Sequence, residues 1–190
     1  YLMKKYNIPA DHVIRHYDVT GKICPNPYVY NTTKHVWDAF KKAIATDGAG
    51  TEDTSKMTKI TGKAVATAEQ MTAYIKAKNA KVPQSVLDMI PFYLSEGEAE
   101  NIRGDIAFAQ SCLETGNFTF SGSAVKLSQN NFCGMGVTSN GMRGNSFDTP
   151  QLGIRAQVQH LKAYASTVDL KNECVDPRFK YVTRGCAEYV

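Results

Sequence analysis

The chain has no run near the roughly 18 apolar residues that span a bilayer, so no membrane segment is expected. It has no Cys-x-x-Cys pair, which removes the usual sign of a structural zinc knuckle. Its five cysteines (Cys24, Cys112, Cys133, Cys174 and Cys186) are odd in number and irregularly spaced, unlike a disulfide framework. Cys174 and Cys186 are left as an open pair. The net charge of +4 is too small to argue for nucleic acid. The first residues, "YLMKKYNIPADH", lack an apolar stretch, so no signal peptide is visible, and the absence of a starting Met suggests a longer parent. What remains, 43% hydrophobic and 21% charged, is the composition of a globular protein.

Three segments differ in character. Residues 1–45 read as helix, strand, helix. "HVIRHYDV" alternates as a strand does, and "TKHVWDAFKKAIA" spaces Val36, Phe40 and Ile44 for a helix. Residues 46–59, "TDGAGTEDTSKMTK", are polar and aperiodic, a linker. Residues 60–190 read as mainly α. Thr67 and Gln70 form a capping box pattern, and Pro83 and Ser85 open a helix through Val86, Met89 and Ile90. Ile102, Ile106, Ala109 and Leu113 share a face that Gly116 ends, and Thr149 with Pro150 starts a last long helix. Residues 115–148 make an unusually long connection, the kind that carries function. Residues 88–114 hold Asp88, Glu96, Glu98, Glu100, Asp105 and Glu114 against Arg103 alone, and the ordinary reading is a solvated helix face.

Glu114 is the sharpest chemical feature. It ends the apolar helix of "IAFAQSCLETGNF". The negative end of the helix dipole favours the neutral form of a carboxyl group, and burial beside Leu113 and Phe118 would add to this. A neutral carboxyl group is what a glycosidase uses to protonate a leaving oxygen.

"GDIAFAQSCLETGNFTF" followed by "QNNFCGMG" resembles the peptidoglycan glucosaminidase family, which has a lysozyme-like α fold and includes autolysins and phage lysins. "SFDTPQLGIRAQVQHLKAYAS" resembles that family's closing helix, and "VDPRFKYV" its Asp-Pro end motif. The resemblance implies Glu114 as general acid, with Asn130, Asn131 and Gly134 lining a sugar cleft. Phe132 and Phe118 are then either sugar-stacking rings or anchors of the long loop. Many members carry a Tyr three residues before the Asp-Pro, where this chain has Glu173. Tyr164 or Tyr181 would have to supply a phenol. A second catalytic group is open among Asp148, Glu98 and Glu173, with Glu96 and Glu100 behind them. A route assisted by the substrate's own acetamido group needs none.

"RHYDVTGKICP" resembles the end of the zinc-dependent N-acetylmuramoyl-L-alanine amidase family. The resemblance implies His16 and Cys24 as zinc ligands and Lys22 as the lysine that meets the developing oxyanion. A catalytic zinc needs a third protein ligand. His12 on the same strand would stand about 13 Å from His16, and nothing aims His35 at the site. Zinc is therefore expected only at an incomplete site that residues outside this chain would complete.

Together these readings describe a mainly α, lysozyme-like glucosaminidase domain over 60–190, preceded by a short α/β piece of an amidase fold over 1–45. The expected activity is hydrolysis of the β-1,4 bond after N-acetylglucosamine in peptidoglycan, outside the cell at the wall, by a monomer without a cofactor. The alternatives are a zinc amidase, or a muramidase or lytic transglycosylase on the same fold.

Overall fold

The computed structural model describes residues 2–6, 8–32, 35–46, 57–137 and 142–190, which form two units, Tyr1–Met57 and Thr58–Val190. Most of the expected linker, residues 47–56, lies outside the described residues. Among the described residues no helix is long and apolar enough to cross a membrane.

The described residues of the first unit include the short helices α1 (Leu2–Tyr6), α2 (His16–Thr20), α3 (Asn26–Val29) and α4 (Trp37–Thr46). The strand expected over "HVIRHYDV" is not formed. Residues Ala10–His12 make a 3-10 turn, residues 13–15 link it to α2, and His16–Val19 lie in that helix. The local chemistry explains this. The Asp18 carboxylate accepts the Arg15 backbone N–H at 2.8 Å and its guanidinium at 2.6 Å, which starts a helix. Gly21, at φ +72°, then ends it in the left-handed conformation. No described residue of this unit is buried. Its contacts include an aromatic group, with Tyr28 set against His35, Trp37 and Phe40 at centroid distances of 5.2, 6.0 and 5.3 Å.

The second unit is built from α5 (Ala68–Lys78), α6 (Gln84–Asp88), α7 (Ile90–Glu100), α8 (Gly104–Glu114) and α9 (Pro150–Ala165). The mainly α expectation holds, since β structure among the described residues amounts to isolated bridges, Lys59 with Tyr189 and Thr61 with Ile102. Thr67 caps α5 in a capping box with Gln70, and Thr149 caps α9 ahead of Pro150. The single helix expected from Pro83 is two, separated at Met89, with Pro91 in the first turn of α7.

Helices α7, α8 and α9 enclose the core, where Ile90, Tyr93, Phe108, Ile154 and Val158 are buried. A Cβ on Gly104 would lie 2.0 Å from the Tyr93 carbonyl oxygen, so only glycine lets α8 cross α7 this closely. A buried polar chain crosses the same contact. Tyr93 Oη donates to Ser111 Oγ (2.8 Å), which donates to Gln157 Oε1 (2.9 Å).

The acidic cluster is a solvated face only in part, since Asp88, Glu98 and Glu114 are exposed. Glu96 and Glu100 point inward from α7 and are buried. Glu96 receives Arg155 Nε at 2.8 Å and Gln151 Nε2 at 2.7 Å. Glu100 receives Lys162 Nζ at 2.8 Å and the backbone N–H groups of Lys171 and Asn172, each at 2.9 Å. Burial pushes the Glu100 carboxyl up, but these donors outweigh it and hold it below the usual carboxylate range. Lys162→Ala is expected to cost roughly 3–5 kcal/mol, the usual penalty for leaving a buried charge alone, read as a lower denaturant midpoint. An unchanged midpoint would show that Glu100 needs no counter-ion.

Asp105 repeats the pattern at the start of α8. Burial raises its carboxyl, but Arg103 and the N–H groups of Val65 and Ala66 hold it at about 2. A depressed carboxyl stabilises above its unfolded value and loses that contribution as pH falls through its folded value. Stability is therefore expected to drop between about pH 4 and 2, and Asp105→Asn should flatten that part of a pH titration of the thermal midpoint.

Candidate functional site

Glu114 is the last residue of α8 and is exposed. The burial expected beside it is absent, because Leu113 is 81% exposed. Beyond Glu114 the chain enters a tightly held turn. Thr115 Oγ1 donates to the Ser111 carbonyl (2.6 Å) and accepts the Phe118 N–H (2.8 Å). Gly116, Asn117 and Phe118 all have positive φ, at 59°, 57° and 60°. A bulky residue such as Phe118 is rarely found there, and its buried ring holds it in place. The end of α8 is thus fixed while the Glu114 side chain is left in solvent.

The long loop is braced by amide side chains. Asn131 is fully buried; its Nδ2 donates to the carbonyls of Met135 (2.8 Å) and Asn145 (3.0 Å), and its Oδ1 accepts the Met135 N–H (2.9 Å). Asn130 Nδ2 donates to the Phe147 carbonyl at 2.8 Å, and Gln129 Nε2 to the Arg143 carbonyl at 2.8 Å. Phe132 is 1% exposed and sits 6.1 Å from the Phe118 ring, which stacks on Phe108. Asn131, Phe118 and Phe132 are therefore anchors of the loop, not surfaces open to a sugar. Gly134 differs: at φ +66° it is partly exposed, and nothing lies within 4 Å of where a Cβ would be. Backbone can meet a ligand closely there.

The Asp-Pro segment is tied to α9. Gln159 Oε1 accepts the Val175 N–H at 2.8 Å, while its Nε2 donates to the Glu173 carbonyl at 2.9 Å. Asp176 is buried; its carboxylate meets His160 Nδ1 at 2.8 Å and accepts the Arg178 N–H at 2.8 Å. The motif is visible in the sequence, but nothing there gives Asp176 or His160 a role. The hydrogen-bonding pair needs α9 and the segment folded together, and no spacing in the chain reveals it. Glu98, Asp148 and Glu173 are exposed, on α7, ahead of α9 and on the C-terminal segment respectively. Tyr164 is half-buried and Tyr181 is 67% exposed.

Cys133 lies on the same loop and is partly buried. Its thiol is pushed up to about 12 by burial, opposed by the Met135 N–H and reinforced by the charges of Asp176 and Glu114. Beside the loop lies an open groove of about 480 Å³, lined by Gly136, Met142, Arg143, Gly144, Asn145, Pro177, Arg178 and Tyr181. Of the residues expected at the site, the groove takes in Tyr181 alone.

In the first unit His16 and Lys22 are exposed and Cys24 is partly buried, with the Tyr17 N–H donating to the Cys24 carbonyl at 3.1 Å. No group of three metal-binding side chains occurs among the described residues, so His16 and Cys24 have no third donor there. All five cysteines are free, the Cys174–Cys186 pair included. At about pH 8 iodoacetamide is expected to modify the exposed Cys174 and Cys186 and to spare Cys133 until the protein is denatured, since only a thiolate reacts; peptide mass mapping reads the outcome.

Comparison with known proteins agrees with this architecture. An uncharacterized protein of Borreliella burgdorferi is 41% identical over 120 residues, covering 63% of this chain and 58% of the relative. The N-acetylmuramoyl-L-alanine amidase CwlL of Bacillus licheniformis is 36% identical over 67 residues, 32% of this chain and 18% of that protein. A probable N-acetylmuramoyl-L-alanine amidase of the same organism is 44% identical over 43 residues, 23% of this chain and 12% of the relative. The chain thus spans well under two thirds of each relative's length. No solved structure matches. The glucosaminidase family, described as mannosyl-glycoprotein endo-beta-N-acetylglucosaminidase, matches residues 90–187, from the start of α7 through the Asp-Pro segment. The chain therefore belongs to the glucosaminidase family of glycoside hydrolases.

Proposed function

We propose that the Thr58–Val190 unit hydrolyses the β-1,4 bond after N-acetylglucosamine in the glycan strands of peptidoglycan, at the bacterial cell wall, with Glu114 as general acid. The observation that carries this reading is the placement of Glu114. It is a solvent-open carboxyl group at the fixed end of α8, inside the matched family segment. The amidase names of two relatives support a wall polymer as substrate.

In this mechanism Glu114 protonates the leaving glycosidic oxygen as the sugar develops oxocarbenium character. Gly134 lets backbone approach the sugar ring. No protein nucleophile is required where the acetamido oxygen attacks the anomeric carbon, and this chain's reaction needs no cofactor. Exposed Glu98, Asp148 and Glu173 are the candidates for a second group.

A second reading concerns the Tyr1–Met57 unit. Two relatives carry amidase names, and the spacing of His16, Lys22 and Cys24 resembles the end of an amidase fold. Two donors alone do not make a catalytic zinc site, so no step is assigned to a metal here.

The test is digestion of purified peptidoglycan with and without chelator, the reduced products being read by mass spectrometry. New reducing-end N-acetylglucosamine, insensitive to chelator and reduced ~10²–10⁴-fold by Glu114→Gln, is the expected result. An anhydro-sugar product would identify a lytic transglycosylase, a muramic acid reducing end would identify a muramidase, and free stem peptides lost on chelation would identify an amidase.

A further inference from the structure

The groove beside the loop carries charge that the glycosidic chemistry does not use. Its walls come from the loop, through Gly136, Arg143 and Asn145, and from the C-terminal segment, through Arg178 and Tyr181. Among the described residues that line it, two are arginines and none is acidic. Elsewhere in this unit arginines are spent on structure. Arg103 pairs with Asp105, Arg155 with Glu96, and Arg184 donates to the carbonyls of Ser166 and Val168.

The groove arginines are different. The Arg143 guanidinium has no partner among the described residues; only its backbone carbonyl is used, by Gln129. The Arg178 guanidinium stands 5.6 Å from the centre of the Tyr181 ring and joins no ion pair among the described residues. Lys180 adds a third cation, 5.1 Å from the same ring. The walls are nonetheless fixed. Gln129 holds the Arg143 carbonyl, and buried Asp176 holds the Arg178 N–H at 2.8 Å. Unpaired guanidinium groups on a fixed concave surface suit a planar anion, because their paired N–H groups match the two oxygens of a carboxylate.

We propose that this groove is a subsite for a carboxylate carried by the glycan strand, on its lactyl or peptide substituents, with Arg143 and Arg178 as the counter-ions. The proposal rests on the reading of peptidoglycan as substrate and gives the enzyme a means to prefer the wall polymer over neutral N-acetylglucosamine chains.

The test measures binding with Glu114→Gln protein, so that nothing is cut. The probes are acid-stripped, phosphate-free glycan strands bearing carboxylates and neutral chitin oligomers of similar length. Adding Arg143→Gln and Arg178→Gln is expected to weaken binding to the strands about tenfold or more, the scale of one or two lost charge-assisted contacts. Chitin binding and the thermal midpoint should not change. A second variant with lysine at both positions should recover part of the loss. Equal loss on both probes, or no loss on either, overturns the proposal, as does binding that disappears when phosphate is stripped. If wild-type protein still releases N-acetylglucosamine ends in those cases, the subsite fails and the glucosaminidase reading stands. Strands neither bound nor cut by wild-type protein overturn both.

Discussion

The second unit depends on two carboxylates of α7 being neutralised by two cations of α9. Glu96 and Glu100 are one turn apart on α7, as Arg155 and Lys162 are about two turns apart on α9, so the two pairs run along one helix contact. Buried ion pairs add little net stability, but they are intolerant of error, because shifting one helix past the other strands a charge in the core. They fix the register of α7 against α9. Glu100 extends this control to the chain beyond α9, since it also takes the N–H groups of Lys171 and Asn172. The C-terminal segment therefore starts from a position set inside the core.

From there neutral amides continue the same work. Gln159 fixes residues 173–176 against α9, as Gln129, Asn130 and Asn131 fix residues 143–147 on the loop side. Each amide offers both a donor and an acceptor, so it satisfies irregular backbone that would otherwise be buried without partners. A Cβ on Gly153 would lie 1.7 Å from the Asn130 carbonyl oxygen, so the loop lies directly on α9 with no room between them. Residues 143–147 and 173–176 are thus held by side-chain amides and not by regular secondary structure.

The helices of this unit were legible because their signals are local. Thr67 with Gln70 and Thr149 with Pro150 cap helices wherever they occur. The end of α8 at Glu114 was legible for the same reason. Failures came where a partner far along the chain decides the outcome. Glu96 and Glu100 look like surface acids until Arg155 and Lys162 are placed opposite them. Phe118 and Phe132 look available to a sugar until both rings are found in the core. Asp176 has no visible role without His160. "HVIRHYDV" failed differently: alternation suggested a strand, while the Arg15–Asp18 contact and Gly21 favour a short helix within a few residues.

The carboxyl groups of the second unit sort by environment, and the sorting bears on which can act as an acid. Glu96, Glu100, Asp105 and Asp176 each accept several hydrogen bonds, from Arg, Lys, His or backbone N–H groups. An oxygen held by such donors serves as an acceptor, and giving it a proton would break the contact that holds the fold. None of these four is free to deliver a proton to a sugar. Glu98, Asp148 and Glu173 are exposed, but they stand on three separate segments. Glu114 is exposed as well, and it stands at the end of α8, where Thr115 pins the turn that follows. A general acid must be both unengaged and held in place. Thr115 and the left-handed turn through Phe118 provide the second condition without occupying the carboxyl group, which is the physical case for the role proposed for Glu114.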